Sequence, residues 1–167
     1  RDMFVTGRED EAAGDTLGDA GYLVLLPDFF RGEWRVSGDI HDIYSPHEQG
    51  VTAPDLCPWL AAQSDWYGAR QAEVCDLLLP HARALGASVF GAVGTCWGGY
   101  MAARLSSYGE FRAAVSFHPA TTFIAENVNK EELYEVLDEV RCPQMVLTAG
   151  NDHSNEKPGG LANKVWG

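Results

Sequence analysis

Apolar residues along this chain come as short continuous runs, separated by stretches in which they recur at helical spacing. Tyr22-Leu23-Val24-Leu25-Leu26, closed by Pro27, is apolar on both faces, as a central parallel strand needs when helices cover both sides of its sheet. Ala87-Ser88-Val89-Phe90, Ala113-Ala114-Val115-Ser116-Phe117 and the run from Pro143 to Ala149 read as further strands. A weak, glycine-interrupted helix is expected from about Glu9 to Ala20, stopped by Gly21. The strongest helical pattern runs from Tyr67 to Leu85, with Ala69, Ala72, Val74, Leu77, Leu78 and Leu85 on one face and a kink or local end at Pro80. Further helices are expected from Gly99 through about Ser107 and from Asn129 to Val140. The second has Asn129 as N-cap, Glu131 and Glu132 in its first turn, and Leu133, Val136, Leu137 and Val140 on its buried face.

Strands alternating with helices in this order predict an α/β fold with a mostly parallel sheet flanked by helices, formed as a single domain over residues 1–167. The stretch from Gly32 to about Ser64 is rich in Gly, Pro, Asp and Ser and reads as a long loop. Trp34, Trp59 and Trp66 are expected to pack under it or to form a lid or rim over a site. Ligands of such sheets sit beyond the carboxyl ends of the strands, where Asp28, Cys96, His118 and Asp152 fall.

Gly91-Ala92-Val93-Gly94-Thr95-Cys96-Trp97-Gly98-Gly99 joins a β-prone run to a helix-forming one. The spacing G-x-Cys-x-G places Cys96 at the apex of a strand-to-helix turn, with Gly94 and Gly98 as the small residues that let strand and helix approach. The N–H of Trp97 then opens a helix, where it can face an oxyanion while the dipole favours a thiolate. A dinucleotide fingerprint does not fit these glycines, and no Lys-Ser/Thr pair follows as a phosphate loop requires.

Net charge of −12 argues against nucleic acid and anionic membrane surfaces as partners, because both are polyanions. No apolar run approaches the roughly 18 residues of a membrane span. Cys57, Cys75, Cys96 and Cys142 contain no C-x-x-C pair, so a reducing compartment and a cytoplasmic location are expected, and no cofactor is implied. His41, Asp42, His47 and Glu48 lack a fixed helical or strand geometry, so no metal site is expected there.

With the Gly21-Tyr22 to Gly32 segment, including Pro27-Asp28-Phe29-Phe30-Arg31-Gly32, the Gly94 to Gly99 turn, His118-Pro119 and Gly150 to Asp152, the chain resembles the dienelactone hydrolase family of α/β-hydrolases over nearly its whole length. Asp2-Met3-Phe4 extends the match. The resemblance implies an α/β-hydrolase fold lacking its first strands and its last strand with the C-terminal helix, and so also lacking the family's triad histidine. It implies Cys96 as nucleophile, Asp152 orienting the base, and Asp2 in place of the family's acidic residue that holds the resting thiol, one methylene shorter than the usual Glu. The N–H of Met3 joins that of Trp97 in the implied oxyanion hole. His118, at an adjoining strand end, is a candidate site-lining residue and substitute base, and Phe29 and Arg31 are candidate lining residues.

The implied activity is hydrolysis of a small ester or lactone through a thioester acyl-enzyme, with no nucleic-acid or membrane partner. The arginine pair that binds the substrate carboxylate in the bacterial enzyme has no match, so dienelactone itself is not implied. Open alternatives are a non-catalytic relative that binds a partner or small acyl ligand, an acyltransferase using the same cysteine, and association of the chain with its own copies.

Overall fold

The computed structural model describes residues 8–31 and 56–166. Asp2, Met3, the segment carrying Trp34, His41, Asp42, His47 and Glu48, and the side chain of Trp59 lie outside the described residues. In chain order the regular elements are α1 (Arg8–Asp19), α2 (Leu56–Ser64), π-helical stretches over Trp66–Arg70 and Glu73–Leu78 that run into α3 (Leu79–Ala84), β1 (Phe90–Thr95), α4 (Trp97–Ser106) and β2 (Phe111–Phe117). A short helical turn over Thr121–Phe123 continues as a π-helix over Ile124–Asn129, followed by α5 (Leu133–Asp138), β3 (Gln144–Leu147) and α6 (Leu161–Trp166).

The sheet is parallel, in the order β1-β2-β3, with Thr95 beside Phe117 and Phe117 beside Leu147 at the carboxyl ends. The expected α/β alternation is therefore present, as three parallel strands with intervening helices among the described residues. Side chains alternate between the two faces. Ala92, Gly94, Ala114 and Ser116 are buried toward α4, which packs on β1 and β2. Val93, Phe117, Met145 and Leu147 on the opposite face are exposed, so among the described residues helices cover one face of these strands.

Other expectations shift. Tyr22–Leu26 forms no strand, and Tyr22 is 67% exposed. A strand exists only where its N–H and C=O groups pair with a neighbour, and β1 pairs with β2 alone among the described residues. The run instead follows α1, with Val24 and Leu26 against Gly14. The first strand begins at Phe90, not Ala87, so Gly91 and Gly94 are themselves sheet residues. Part of the expected long loop is α2, whose Pro58 sits in the first turn, where a missing N–H removes no intrahelical bond.

The expected Tyr67–Leu85 helix is present as consecutive π and α segments, but its buried face is Trp66, Arg70, Val74, Leu79 and Ala82. Ala69, Ala72, Leu77 and Leu85 are exposed. Trp66 is thus a core residue, not part of a lid. Asn129 does not cap α5: it ends the preceding π-helix, followed by Lys130 at φ 58°, and its side chain donates to the Tyr100 hydroxyl at 2.8 Å. Leu133, Val136 and Leu137 of α5 are buried as expected.

Arg104 of α4 fastens these layers, with only 3% of its surface exposed. Its guanidinium donates to Glu131 at 2.5 Å, to Glu139 at 2.7 Å and to the hydroxyls of Tyr100 and Tyr67. One planar fork thereby satisfies carboxylates from the connections that lead into and out of α5.

Candidate active site

At the turn between β1 and α4 the backbone departs from ordinary geometry. Cys96 has φ 54° and ψ −113°, a conformation that costs a non-glycine residue about 1–3 kcal/mol and persists only when its surroundings impose it. Three backbone hydrogen bonds impose it. The Cys96 N–H donates to the Phe117 carbonyl at 3.0 Å, and the Cys96 carbonyl accepts from Gly99 and Ala120, each at 2.9 Å. Glycine at position 94 is required, because a Cβ there would lie 2.0 Å from the Gly98 carbonyl oxygen. Gly98 needs no such space for itself. Gly99 does, since its Cβ would stand 2.5 Å from the Pro119 ring. The small residues that permit the turn are therefore Gly94 and Gly99, with Gly98 contributing its backbone.

Trp97 opens α4, so its N–H has no intrahelical partner and faces outward from the helix start. Its indole is fixed. Nε1 donates to the Ser64 hydroxyl at 2.6 Å, and the ring packs on Phe30 and Phe29 with centroids 4.8 and 6.0 Å away. Phe29 thus supports the elbow through Trp97. Arg70, itself buried, donates to the Phe29 carbonyl at 3.3 Å and to Glu73 at 2.5 Å. Arg31 is mostly exposed and turns away to pair with Glu73, so it serves to pin the Phe29-Phe30 loop rather than to line the elbow. Asp28 caps the same loop, accepting the Phe30 N–H at 3.0 Å.

His118 follows β2 directly beside the elbow, with φ 34°, an exposed side chain, and its N–H donating to Leu147 at 2.7 Å. Asp152 lies in the turn after β3, where its carboxylate accepts the Ala149 N–H at 2.6 Å. Cys96, His118 and the Asp152 turn therefore stand at the carboxyl ends of three adjacent parallel strands. Asp2 and Met3 lie outside the described residues, so the resting-thiol contact and the second oxyanion donor are not part of this geometry.

Sequence patterns passed over Glu156. This carboxylate is buried, accepts the Thr122 N–H at 2.8 Å, and has its pKa pushed up to about 7, first by burial and then by the charge of Asp152, against the hydrogen bonds from Thr122 and Thr121. The Thr122 hydroxyl is buried beside it, near enough to favour the charged form but without the alignment of a hydrogen bond. Ser64 was equally silent. A Glu beside Lys157 and a Ser at a helix end both read as surface residues, and their partners lie more than thirty positions away.

Among the described residues no helix is long and apolar enough to cross a membrane, and no group of three or more His, Cys, Asp and Glu residues is arranged to hold a metal. No curated protein and no solved structure matches the chain. The family model described as the dienelactone hydrolase family matches residues 5–166.

Proposed function

The chain belongs to the dienelactone hydrolase family of the α/β-hydrolase superfamily, a family of ester and lactone hydrolases, and from that footing we propose that it cleaves a small ester or lactone through a thioester on Cys96. The observation that carries the proposal is the strained backbone of Cys96, held at φ 54° at the mouth of a parallel sheet and the start of α4. Nothing in packing alone asks for that strain at a cysteine.

In the proposed reaction the Cys96 thiolate attacks the acyl carbonyl, forming a carbon–sulfur bond as the carbonyl electron pair moves onto oxygen. The Trp97 N–H donates to that oxyanion at the positive end of α4, and Met3 is assigned the second donor. Collapse breaks the carbon–oxygen bond and expels the alkoxide, which takes a proton from solvent water. Water then attacks the thioester, the carboxylate product leaves, and Cys96 is restored. Asp152 is assigned the orientation of the base that activates the water, and His118, which lines the site at the adjoining strand end, is the candidate for that base among the described residues.

Cys96→Ala is expected to abolish both ester turnover and covalent labelling of the protein. Persistent turnover in that variant overturns the mechanism. Asp152→Asn is expected to lower steady-state turnover by about a thousandfold or more, with acyl transfer to Cys96 less affected than release of the acid. Equal turnover by Asp152→Asn removes Asp152 from the site.

A further inference from the structure

The loop that carries Asp152 is held together from within. Asp152 accepts the Ala149 N–H, Glu156 N–H donates to His153, Lys157 reaches back to the Gly150 carbonyl at 2.6 Å, and Gly160 donates to Lys157. Among the described residues, this loop is tied to the turn after β2 through Glu156, which accepts the Thr122 N–H at 2.8 Å with the Thr121 N–H beside it. Thr122 belongs to the turn after His118-Pro119, and in that same turn the Ala120 N–H grips the Cys96 carbonyl while Pro119 packs on Gly99. A continuous path of short contacts therefore runs from the Asp152 loop through Glu156, Thr122 and Ala120 to the strained residue at the elbow.

We propose that Glu156 is a positioning residue: through the Thr122 N–H it holds the Asp152 loop onto the turn that grips Cys96, fixing acid and nucleophile relative to each other. This rests on the assignment of Cys96 and Asp152 above. Glu156 sits against a small cavity with Ser116, Thr121, Leu133, Leu137 and Trp166. The charged group that faces it is Asp152, because Lys157 directs its ammonium to Gly150 instead. Apolar walls and a neighbouring carboxylate both favour the neutral acid in the closed arrangement, which still accepts the Thr122 N–H. With the loop open, Glu156 reaches water and regains an ordinary acidity. Closure is therefore tightest below about pH 4.5, and opening is increasingly favoured as pH rises from there to about 7.

The test compares two reactions of Cys96 in wild type, Glu156→Gln and Glu156→Ala between about pH 5 and pH 9. One is acylation by p-nitrophenyl acetate, read by intact mass; the other is alkylation by iodoacetamide. Both need the thiolate, but only acylation needs a placed oxyanion donor, so their ratio cancels thiolate fraction, and far-UV circular dichroism at each pH confirms that the chain is folded. In wild type the ratio is expected to fall roughly tenfold as pH rises from about 6 to about 8. Glu156→Gln, a neutral isostere that keeps the acceptor, is expected to hold the high value throughout, and Glu156→Ala the low one. Wild type and Glu156→Gln with coincident profiles overturn the proposal, and this comparison stands even where Glu156→Ala does not fold. Alkylation of wild-type Cys96 without acylation at any pH overturns the nucleophile assignment and this inference with it.

Discussion

At the residue scale, the elbow divides its glycines sharply. Gly94→Ala drives a methyl group into the Gly98 backbone, which belongs to a packed helix start and has no room to yield, so a loss of about 3 kcal/mol or more is expected in urea denaturation. Gly98→Ala meets nothing within 4 Å and removes a flexible residue from α4, so it is expected to be neutral or stabilising by up to about 1 kcal/mol. Glu156 gives a second contrast. Its native pKa, about 7, lies above its ordinary value of 4.5, so between those pH values the unfolded state has released a proton that the native state still holds. Stability from this group is therefore greatest below about pH 4.5, falls as pH rises to about 7, and is then lower by at most about 3 kcal/mol. Glu156→Gln is expected to flatten that part of the stability profile; an unchanged slope contradicts the assignment. Gly94 and the turn at Cys96 were legible in the sequence because a tight turn is encoded by neighbours, whereas the need for glycine at position 99 rather than 98 comes from Pro119, which follows the next strand. The burial of Glu156 was not legible, because it is imposed by Thr122 and the residues around it.

At the scale of elements, local pattern located β2, β3, α4 and the buried face of α5 to within a few residues, since each repeats its apolar positions at its own period. It failed where partners decide. Tyr22–Leu26 has a strand's composition without a neighbouring strand among the described residues, while the helical segments from Thr121 to Asn129 carry too few periodic apolar residues to announce themselves. α6 was missed as well: six residues after Gly159-Gly160 fall below the length at which helical period is visible, and the element is fixed by Trp166 donating to the Leu137 carbonyl at 2.9 Å. The Arg104 cluster joins elements in the same non-local way. Arg104→Met leaves the half-buried Glu131 and the partly exposed Glu139 without their cation, and a loss of about 2 kcal/mol is expected by thermal or urea denaturation. Glu139→Gln, at the wetter end, is expected to cost less than about 1 kcal/mol. The reverse order contradicts the cluster's role as the tie between α4 and α5.

At the scale of the whole molecule, a parallel sheet collects residues distant in sequence at one edge, and here that edge receives Cys96, His118 and the Asp152 turn. The strain at Cys96 is maintained by β2 and the turn beyond it, so the nucleophile is prepared by the sheet rather than by its own neighbours alone. A net charge of −12 on 167 residues opposes compaction, so the melting temperature is expected to rise between about 0.02 M and about 0.5 M salt as exposed like charges are screened. A fall over that range shows that ion pairs such as Arg83–Glu110 outweigh self-repulsion. The most direct test of the central claim is the intact mass of the protein quenched in acid after mixing with an activated small ester, with peptide mapping of the adduct. One acyl group on Cys96, absent from Cys96→Ala, is the expected result. Ester cleavage with no adduct on Cys96, or labelling that survives in Cys96→Ala, contradicts a thioester at the elbow.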